Sequence, residues 1–197
     1  IIGGLSKACA NKALEFYKIF VKADCLVTDS RTAELSKLVE NSSRDVNIAF
    51  ANELSLICDK LEINVWELIN LANHHPRVNI LQPGPGVGGH CIAVDPWFIV
   101  NRSPEQAKLI LESRKVNLRK TEWVVDKIKD SLSNISESLK KPIIELKVAY
   151  LGLAFKPNID DLRESPAVEV VNRLQNFVAD YVCVEPNIEQ SAVHPLG

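Results

Sequence analysis

Cys91 stands at the end of a loop made almost wholly of glycine and proline, Pro83-Gly84-Pro85-Gly86-Val87-Gly88-Gly89-His90-Cys91, and Asp95 follows four residues later. Glycine has no Cβ and tolerates positive φ, so such a loop lets backbone amides approach a ligand closely. A thiol presented there has access and polar surroundings, the conditions under which cysteine acts as a nucleophile. The competing reading is an inert cysteine packed beside a turn. Lys37, Asn41 and Arg44 recur at i, i+4 and i+7 in a run free of proline and glycine, which sets all three on one helix face. Spacing alone describes a solvated polar stripe. The flanking apolar residues suggest burial instead, and a buried Lys and Arg need anionic partners such as a phosphorylated substrate.

Gly84-Pro85-Gly86-Val87-Gly88-Gly89 literally satisfies GxGxxG. The dinucleotide fingerprint needs a strand before it and a helix N-terminus after it, so that pyrophosphate meets the helix dipole. Here His-Cys-Ile-Ala-Val-Asp-Pro follows, and Pro96 is expected to stop early helix growth, so the fingerprint is rejected. His74, His75, His90 and Cys91 lack the usual spacing of metal ligands, and no metal is expected. Arg77 is a loop arginine whose planar fork suits a phosphate or carboxylate. Lys156 and Arg163, in the stretch Phe155 to Pro166, suit phosphates at the exit of a strand, where open α/β sheets bind ligands. That stretch also reads as a solvated connection with ordinary salt bridges.

The elements that must position these residues follow from pattern. Ser6 to about Ala23 reads as an amphipathic helix, then Cys25 to Thr28 as a short strand ended by a cap at Asp29-Ser30. Arg31 to about Glu62 reads as a long helix, partly buried on several faces through Leu35, Leu38, Val39, Val46, Ile48, Ala49, Leu54, Ile57 and Leu61. Asn64 caps a helix ending near His74. Ser103-Pro104 is expected to start another long helix, to near Ser138. Past Lys141-Pro142 the character changes: a strand over 147–153, a helix over 166–177 and a strand over 181–184 form a βαβ unit with parallel pairing. The expected organisation is an all-helical domain over 1–140 and the start of an α/β domain over 141–197.

Of the 197 residues, 46% are hydrophobic and 24% charged, as in an ordinary globular protein. A formal net charge of −2 with no basic tract argues against nucleic acid or an anionic membrane as main partner. No apolar run approaches the ~20 residues that span a bilayer. Five cysteines, an odd number with no CxxC pair, suit a reducing, cytoplasmic setting. An initial Ile1 and the lack of methionine suggest a piece of a longer chain.

Four stretches together resemble the nucleotide-sugar 6-dehydrogenase family, which includes UDP-glucose and GDP-mannose dehydrogenases. They are Lys37-Leu38-Val39-Glu40-Asn41, Phe50-Ala51-Asn52-Glu53-Leu54, Gly88 through Pro96, and Phe155-Lys156 through Arg163-Glu164-Ser165. The resemblance covers nearly the whole chain. It implies a mainly α central dimerisation domain followed by a partial Rossmann-like α/β domain that binds UDP-sugar. It also implies that the N-terminal Rossmann domain, the main NAD site, is absent from these residues, and that alone they do not bind NAD well or turn over. The implied reaction is double oxidation of a sugar C6 alcohol to a carboxylate with two NAD+, in service of a bacterial surface polysaccharide.

By the same resemblance Cys91 is the nucleophile, Lys37 the stabiliser of the C6 oxyanion, Asn41 a hydrogen-bond donor beside it, and Asp95 a proton carrier or water-positioning group. Lys37, Asn41, Arg44, His75, Arg77, Gly88, Phe155 and Lys156 are implied substrate contacts, Arg77 serving the neighbouring subunit of a homodimer. Arg163 is implied to reach the NAD phosphates. Val94, where UDP-glucose dehydrogenases usually carry Lys, argues for a UDP-N-acetylhexosamine substrate. A reading of a different class is a helical dimerisation module without catalysis.

Overall fold

The computed structural model describes residues 1–188, so residues 189–197 of the expected second domain lie outside the described residues. The chain opens on strand β1 (Ile2–Gly4), helix α1 (Lys7–Tyr17) and strand β2 (Val27–Asp29), with β1 and β2 paired in parallel from Ile2 against Val27 to Gly4 against Asp29. This corrects the all-helical reading of the first 140 residues. A three-residue strand containing Gly3-Gly4 has no propensity signal of its own and exists through its partner. The helix also stops at Tyr17, short of Ala23.

Helix α2 (Ser30–Lys60) starts where the cap was expected: the Asp29 carboxylate accepts from the amides of Arg31 and Thr32 at 3.0 Å. Its burial follows the expected pattern only in part: Ala49 is buried and Leu38, Val46, Ile48 and Leu54 are half-buried. Leu35, Val39, Phe50, Ile57 and Leu61 are exposed, while Ser42, Asp45, Ala49, Asn52, Ser55 and Cys58 are buried. The inward face is small and polar because it lies along another helix that presents matching polar groups.

Helix α3 (Val65–Ala72) is capped by Asn64 as expected, the side chain accepting from Trp66 and Glu67 amides. A helix the sequence reading missed, α4 (Asp95–Arg102), begins at the position where Pro96 was expected to stop one. In the first turn a helix has no use for the missing proline N–H, so Pro96 starts α4. The long helix α5 therefore begins at Lys108, not at Ser103; Ser103 instead ends α4, its N–H donating to Ile99 O at 2.9 Å.

Helix α5 (Lys108–Leu139) has 32 residues, roughly 48 Å at the α-helical rise. Its first half packs along α2, and its second half carries the C-terminal unit. There strand β3 (Lys147–Leu151), helix α6 (Pro166–Leu174) and strand β4 (Asp180–Val184) form the expected parallel βαβ unit. Val125 of α5 packs with Val170 and Leu174 of α6, and Leu132 with Leu146 and Val178. One helix thus ties both parts together, and the Gly/Pro loop lies between them.

Candidate active site

Two helices and one turn bring the first group of candidate residues together. Cys91 sits exposed in the turn that leads into α4, its carbonyl accepting the N–H groups of Val94 (3.1 Å) and Asp95 (2.8 Å). Asp95 opens α4, where the partial positive charge of the helix N-terminus favours a carboxylate. Asn41, buried midway along α2, donates from Nδ2 to Asp95 Oδ2 at 2.5 Å. Its Oδ1 accepts from Lys37 Nζ at 3.4 Å, and the same ammonium pairs with Glu40 at 3.3 Å. An ammonium, an amide and a carboxylate therefore stand in series beside a solvent-accessible thiol. The expected burial of Lys37 and Arg44 does not hold: Lys37 is 65% exposed, and Arg44 is exposed too.

The loop supplies the other side. A Cβ on Gly88 would lie 2.5 Å from Phe155 Cβ and 2.6 Å from the Glu164 carbonyl. Gly89, at φ +81°, would meet the Phe155 ring at 2.9 Å, and its N–H donates to Arg163 O at 3.1 Å. These glycines are needed for contact with the 155–166 segment. Arg163 grips Asp161 through Nε (2.9 Å to Oδ1) and Nη2 (2.7 Å to Oδ2), which holds that carboxyl down to about 2. Lys156 is exposed, its ammonium 5.8 Å from the Phe155 ring centre.

Lys37, Asn41 and Asp95 thus form one hydrogen-bonded series joined to Cys91 through the Asp95 N–H, while Gly88 meets Phe155 and the Gly89 N–H meets Arg163 on the other side of the loop, and Lys156 is exposed. Three candidates stand apart from that series. Arg44 makes no hydrogen bond or ion pair among the described residues, although it shares the α2 face of Asn41. His75 and Arg77 lie exposed in the loop after α3, bonded to each other where the Arg77 N–H donates to His75 Nδ1 at 3.3 Å. Asn73 closes that loop by bonding both backbone groups of Ile80.

The loop 84–89 does not fit a dinucleotide. No strand precedes it, α4 begins only at Asp95, and the space beside Gly88 and Gly89 is filled by Phe155 and Pro166. Among the described residues Arg163, the candidate for the cofactor phosphates, has its guanidinium engaged by Asp161. No cluster of three His, Cys, Asp or Glu able to hold a metal occurs among them either, and no described helix is long and apolar enough to cross a membrane.

Sequence reasoning passed over a second polar group, fully buried between α2 and α5. Arg114 Nη1 donates to Asp45 Oδ1 at 2.6 Å, both side chains being almost inaccessible. Asn117, Asn52, Lys120 and Ser55 continue it along the helix pair. Burial drives the Asp45 carboxyl upward against the pull of Arg114 and Asn117, and it lowers Lys120 to about 8. Lys120 lines a groove of about 910 Å³ with Cys58, Trp66, Pro83 and Trp123, away from Cys91. The available signal was the recurrence of Ser42, Asp45, Ala49, Asn52 and Ser55 at helical spacing.

The described residues thus hold an exposed thiol before α4, an amide-bridged carboxylate and ammonium, and an α/β unit packed against a glycine loop. The chain belongs to the UDP-glucose/GDP-mannose dehydrogenase family: the central-domain model matches residues 31–119 and the UDP-binding-domain model residues 149–196. Within the family it is 60% identical over 191 residues to the UDP-N-acetyl-D-mannosamine dehydrogenase of Escherichia coli (strain K12), a match covering 96% of this chain and 46% of the relative. It is 56% identical over 190 residues to an NDP-N-acetyl-D-galactosaminuronic acid dehydrogenase of Ralstonia nicotianae, covering 96% of this chain and 43% of that one. Its structure is similar to that of a UDP-D-ManNAc dehydrogenase from Pyrococcus horikoshii, with a TM-score of 0.85, 40% identity, and cover of 95% of this chain and 44% of that one. The chain spans about half the length of the curated relatives it matches.

Proposed function

We propose that this chain is the central and part of the C-terminal region of an NAD-dependent UDP-N-acetyl-D-mannosamine 6-dehydrogenase, with Cys91 as its nucleophile. The observation that carries the reading is the exposed Cys91 thiol at the start of α4, next to the Asp95–Asn41–Lys37 series. The 60% identity to a named UDP-N-acetyl-D-mannosamine dehydrogenase supports the choice of sugar. Activity belongs to the whole protein, acting in the cytoplasm as a homodimer. Residues 1–140 would form the dimerising centre and 141–197 the sugar-nucleotide domain.

Bound NAD would accept the hydride in each of the two oxidations. The residues of this chain do the rest. The Cys91 sulfur adds to the C6 aldehyde carbon, and the carbonyl oxygen takes up a proton to give a thiohemiacetal. That adduct still carries a hydrogen on carbon, so its oxidation leaves a thioester. Water then attacks the thioester carbon, releasing the carboxylate and the free thiol. Lys37 faces the developing C6 oxyanion with positive charge, and Asn41 donates beside it. Asp95, held at one oxygen by Asn41, keeps its other oxygen to orient the water or take its proton. Arg44, Lys156, Gly88 and Phe155 would line the sugar nucleotide, and His75 and Arg77 would reach it from their own loop.

The test uses the full-length protein with UDP-N-acetyl-D-mannosamine and NAD+. The expected result is two NADH per uronic acid formed, and loss of acid formation in Cys91→Ala. Full acid production by that variant would overturn the assignment. UDP-N-acetyl-D-glucosamine in the same assay checks the sugar: a higher kcat/KM for it would overturn the choice of epimer.

A further inference from the structure

We propose that Asn52 and Thr121 are positioning residues: together they fix the Gly84–Gly89 loop against the α2–α5 pair and so set where Cys91 stands relative to Asn41 and Asp95. The proposal rests on the reading of Cys91 as nucleophile.

The bonding order leaves one arrangement. Asn117 gives Nδ2 to the Asp45 carboxylate at 2.8 Å and to the Asp45 carbonyl at 3.2 Å. Its amide nitrogen is therefore committed to acceptors, and its Oδ1 must face Asn52. Asn52 donates to that oxygen from Nδ2 at 2.9 Å, which turns its own Oδ1 outward to accept the Gly84 N–H at 2.9 Å. Arg114, at 2.6 Å from Asp45, fixes the anion at the head of the series. One turn beyond Asn117 on α5, Thr121 Oγ1 donates to the Pro85 carbonyl at 2.8 Å. Adjacent loop residues are thus held by two helices, one through an N–H and the other through a C=O.

The series does more than join helices. Asp45 and Asn52 are 0% exposed, Asn117 1% and Arg114 3%, and apolar residues of equal volume would pack α2 on α5 at least as well. The group outside α2 and α5 that this series of hydrogen bonds holds is the Gly84 N–H. From that clamp the loop has little slack. Gly86 sits where a Cβ would lie 2.5 Å from Thr121 Oγ1, and Gly88 and Gly89 press on Phe155. Cys91 follows two residues later. A shift of about 1 Å at a reacting atom can cost on the order of 100-fold in rate, so a clamp at this distance reaches the chemistry.

The test compares Thr121→Val, Thr121→Ser and Asn52→Ala in the full-length protein. Three readouts are taken: kcat and KM for UDP-N-acetyl-D-mannosamine, the iodoacetamide alkylation rate of Cys91 by peptide mass, and thermal unfolding. Thr121→Val is isosteric, and exposed Pro85 can turn its carbonyl to water, so the fold should persist. For that variant kcat should fall about ten-fold while KM moves less than about three-fold, and Cys91 alkylation should change by about three-fold or more. Thr121→Ser, which restores the hydroxyl, should return both to within about two-fold of wild type. Asn52→Ala should act in the same direction and more strongly. Folded Thr121→Val with kcat and alkylation both within about two-fold of wild type would overturn the proposal, and it decides alone if Asn52→Ala does not fold. The two claims fail separately. Full acid formation by Cys91→Ala removes the nucleophile, whereas unchanged kcat and alkylation together in folded Thr121→Val remove the clamp.

Discussion

Two series of polar side chains leave α2 within about one turn of each other and reach opposite ends of the same loop. Lys37–Asn41–Asp95 runs to the Cys91 end and opens to water at Lys37, which is 65% exposed, while Asn41 is buried and Asp95 half-buried. Asp45–Asn117–Asn52 runs to the Gly84 end and is closed off from water, with Asp45 and Asn52 0% exposed. Similar residue types are used in both. Where water reaches, a Lys or Asp can exchange partners and protons during a reaction at little cost. Where it does not, the groups that are hydrogen-bonded keep one set of partners and serve as fixed pegs. The comparison assigns chemistry to the first series and geometry to the second.

The largest effect should come from breaking the buried series at its charge. Arg114→Met leaves Asp45 uncompensated and should cost about 3–5 kcal/mol, read from chemical denaturation. Lys37→Met, by contrast, removes an exposed pair with Glu40 and should change stability by less than about 1 kcal/mol while impairing acid formation. Equal losses of stability in the two variants would break the comparison.

Next comes Asn41→Asp, which sets a carboxylate against Asp95 where an amide now donates at 2.5 Å. Activity should fall by about 100-fold or more, and the remaining pH profile should move up, because two facing carboxyls cannot both ionise easily. An unchanged profile would show that Asp95 does not take part.

A smaller effect sharpens the buried side. Lys120 donates to Ser55 at 2.8 Å and lies 3.8 Å from the Trp123 ring centre, and burial lowers it from 10.5 to about 8. Between those values the unfolded chain holds a proton that the folded one has released, so stability rises with pH across that window. Lys120→Met lacks this dependence. The difference in unfolding midpoint between wild type and variant should therefore shift in favour of wild type from pH 8 to 10, and a flat difference would contradict it.

The smallest effect is a control outside both series. Glu185 accepts from the amides of Leu153 (2.8 Å) and Ala154 (2.9 Å), which lowers it below its ordinary 4.5. Its stabilisation is present above pH 4.5 and is lost as pH falls through the lowered value. Glu185→Gln should remove that part of the acid sensitivity and leave Cys91 alkylation unchanged.

Much of this was legible along the chain, and the exceptions have physical causes. Asp29, Asn64 and Ser165-Pro166 mark helix starts with local chemistry, so α2, α3 and α6 could be read directly. The four-residue spacings of Lys37 to Asn41 and Cys91 to Asp95 were also visible. Strand β1 was not, because Ile2–Gly4 is a strand only when paired with Val27–Asp29. Pro96 was misread because proline ends a helix from within and begins one from its first turn. The α2 face was misjudged for a related reason: several of its apolar residues lie outward, and Asp45 is matched by Arg114, 69 positions away. The bond between Asn41 and Asp95 spans 54 positions, so no local pattern could announce it.

The central claim is that Cys91 becomes covalently bound to the sugar during oxidation. Full-length protein quenched in acid during turnover of UDP-N-acetyl-D-mannosamine with NAD+, then digested and mapped by mass, tests it most directly. The expected result is a sugar-nucleotide acyl mass on the peptide containing Cys91, appearing with the second NADH of each turnover and lost in Cys91→Ala. Steady acid formation with Cys91 unmodified at every time point would contradict it.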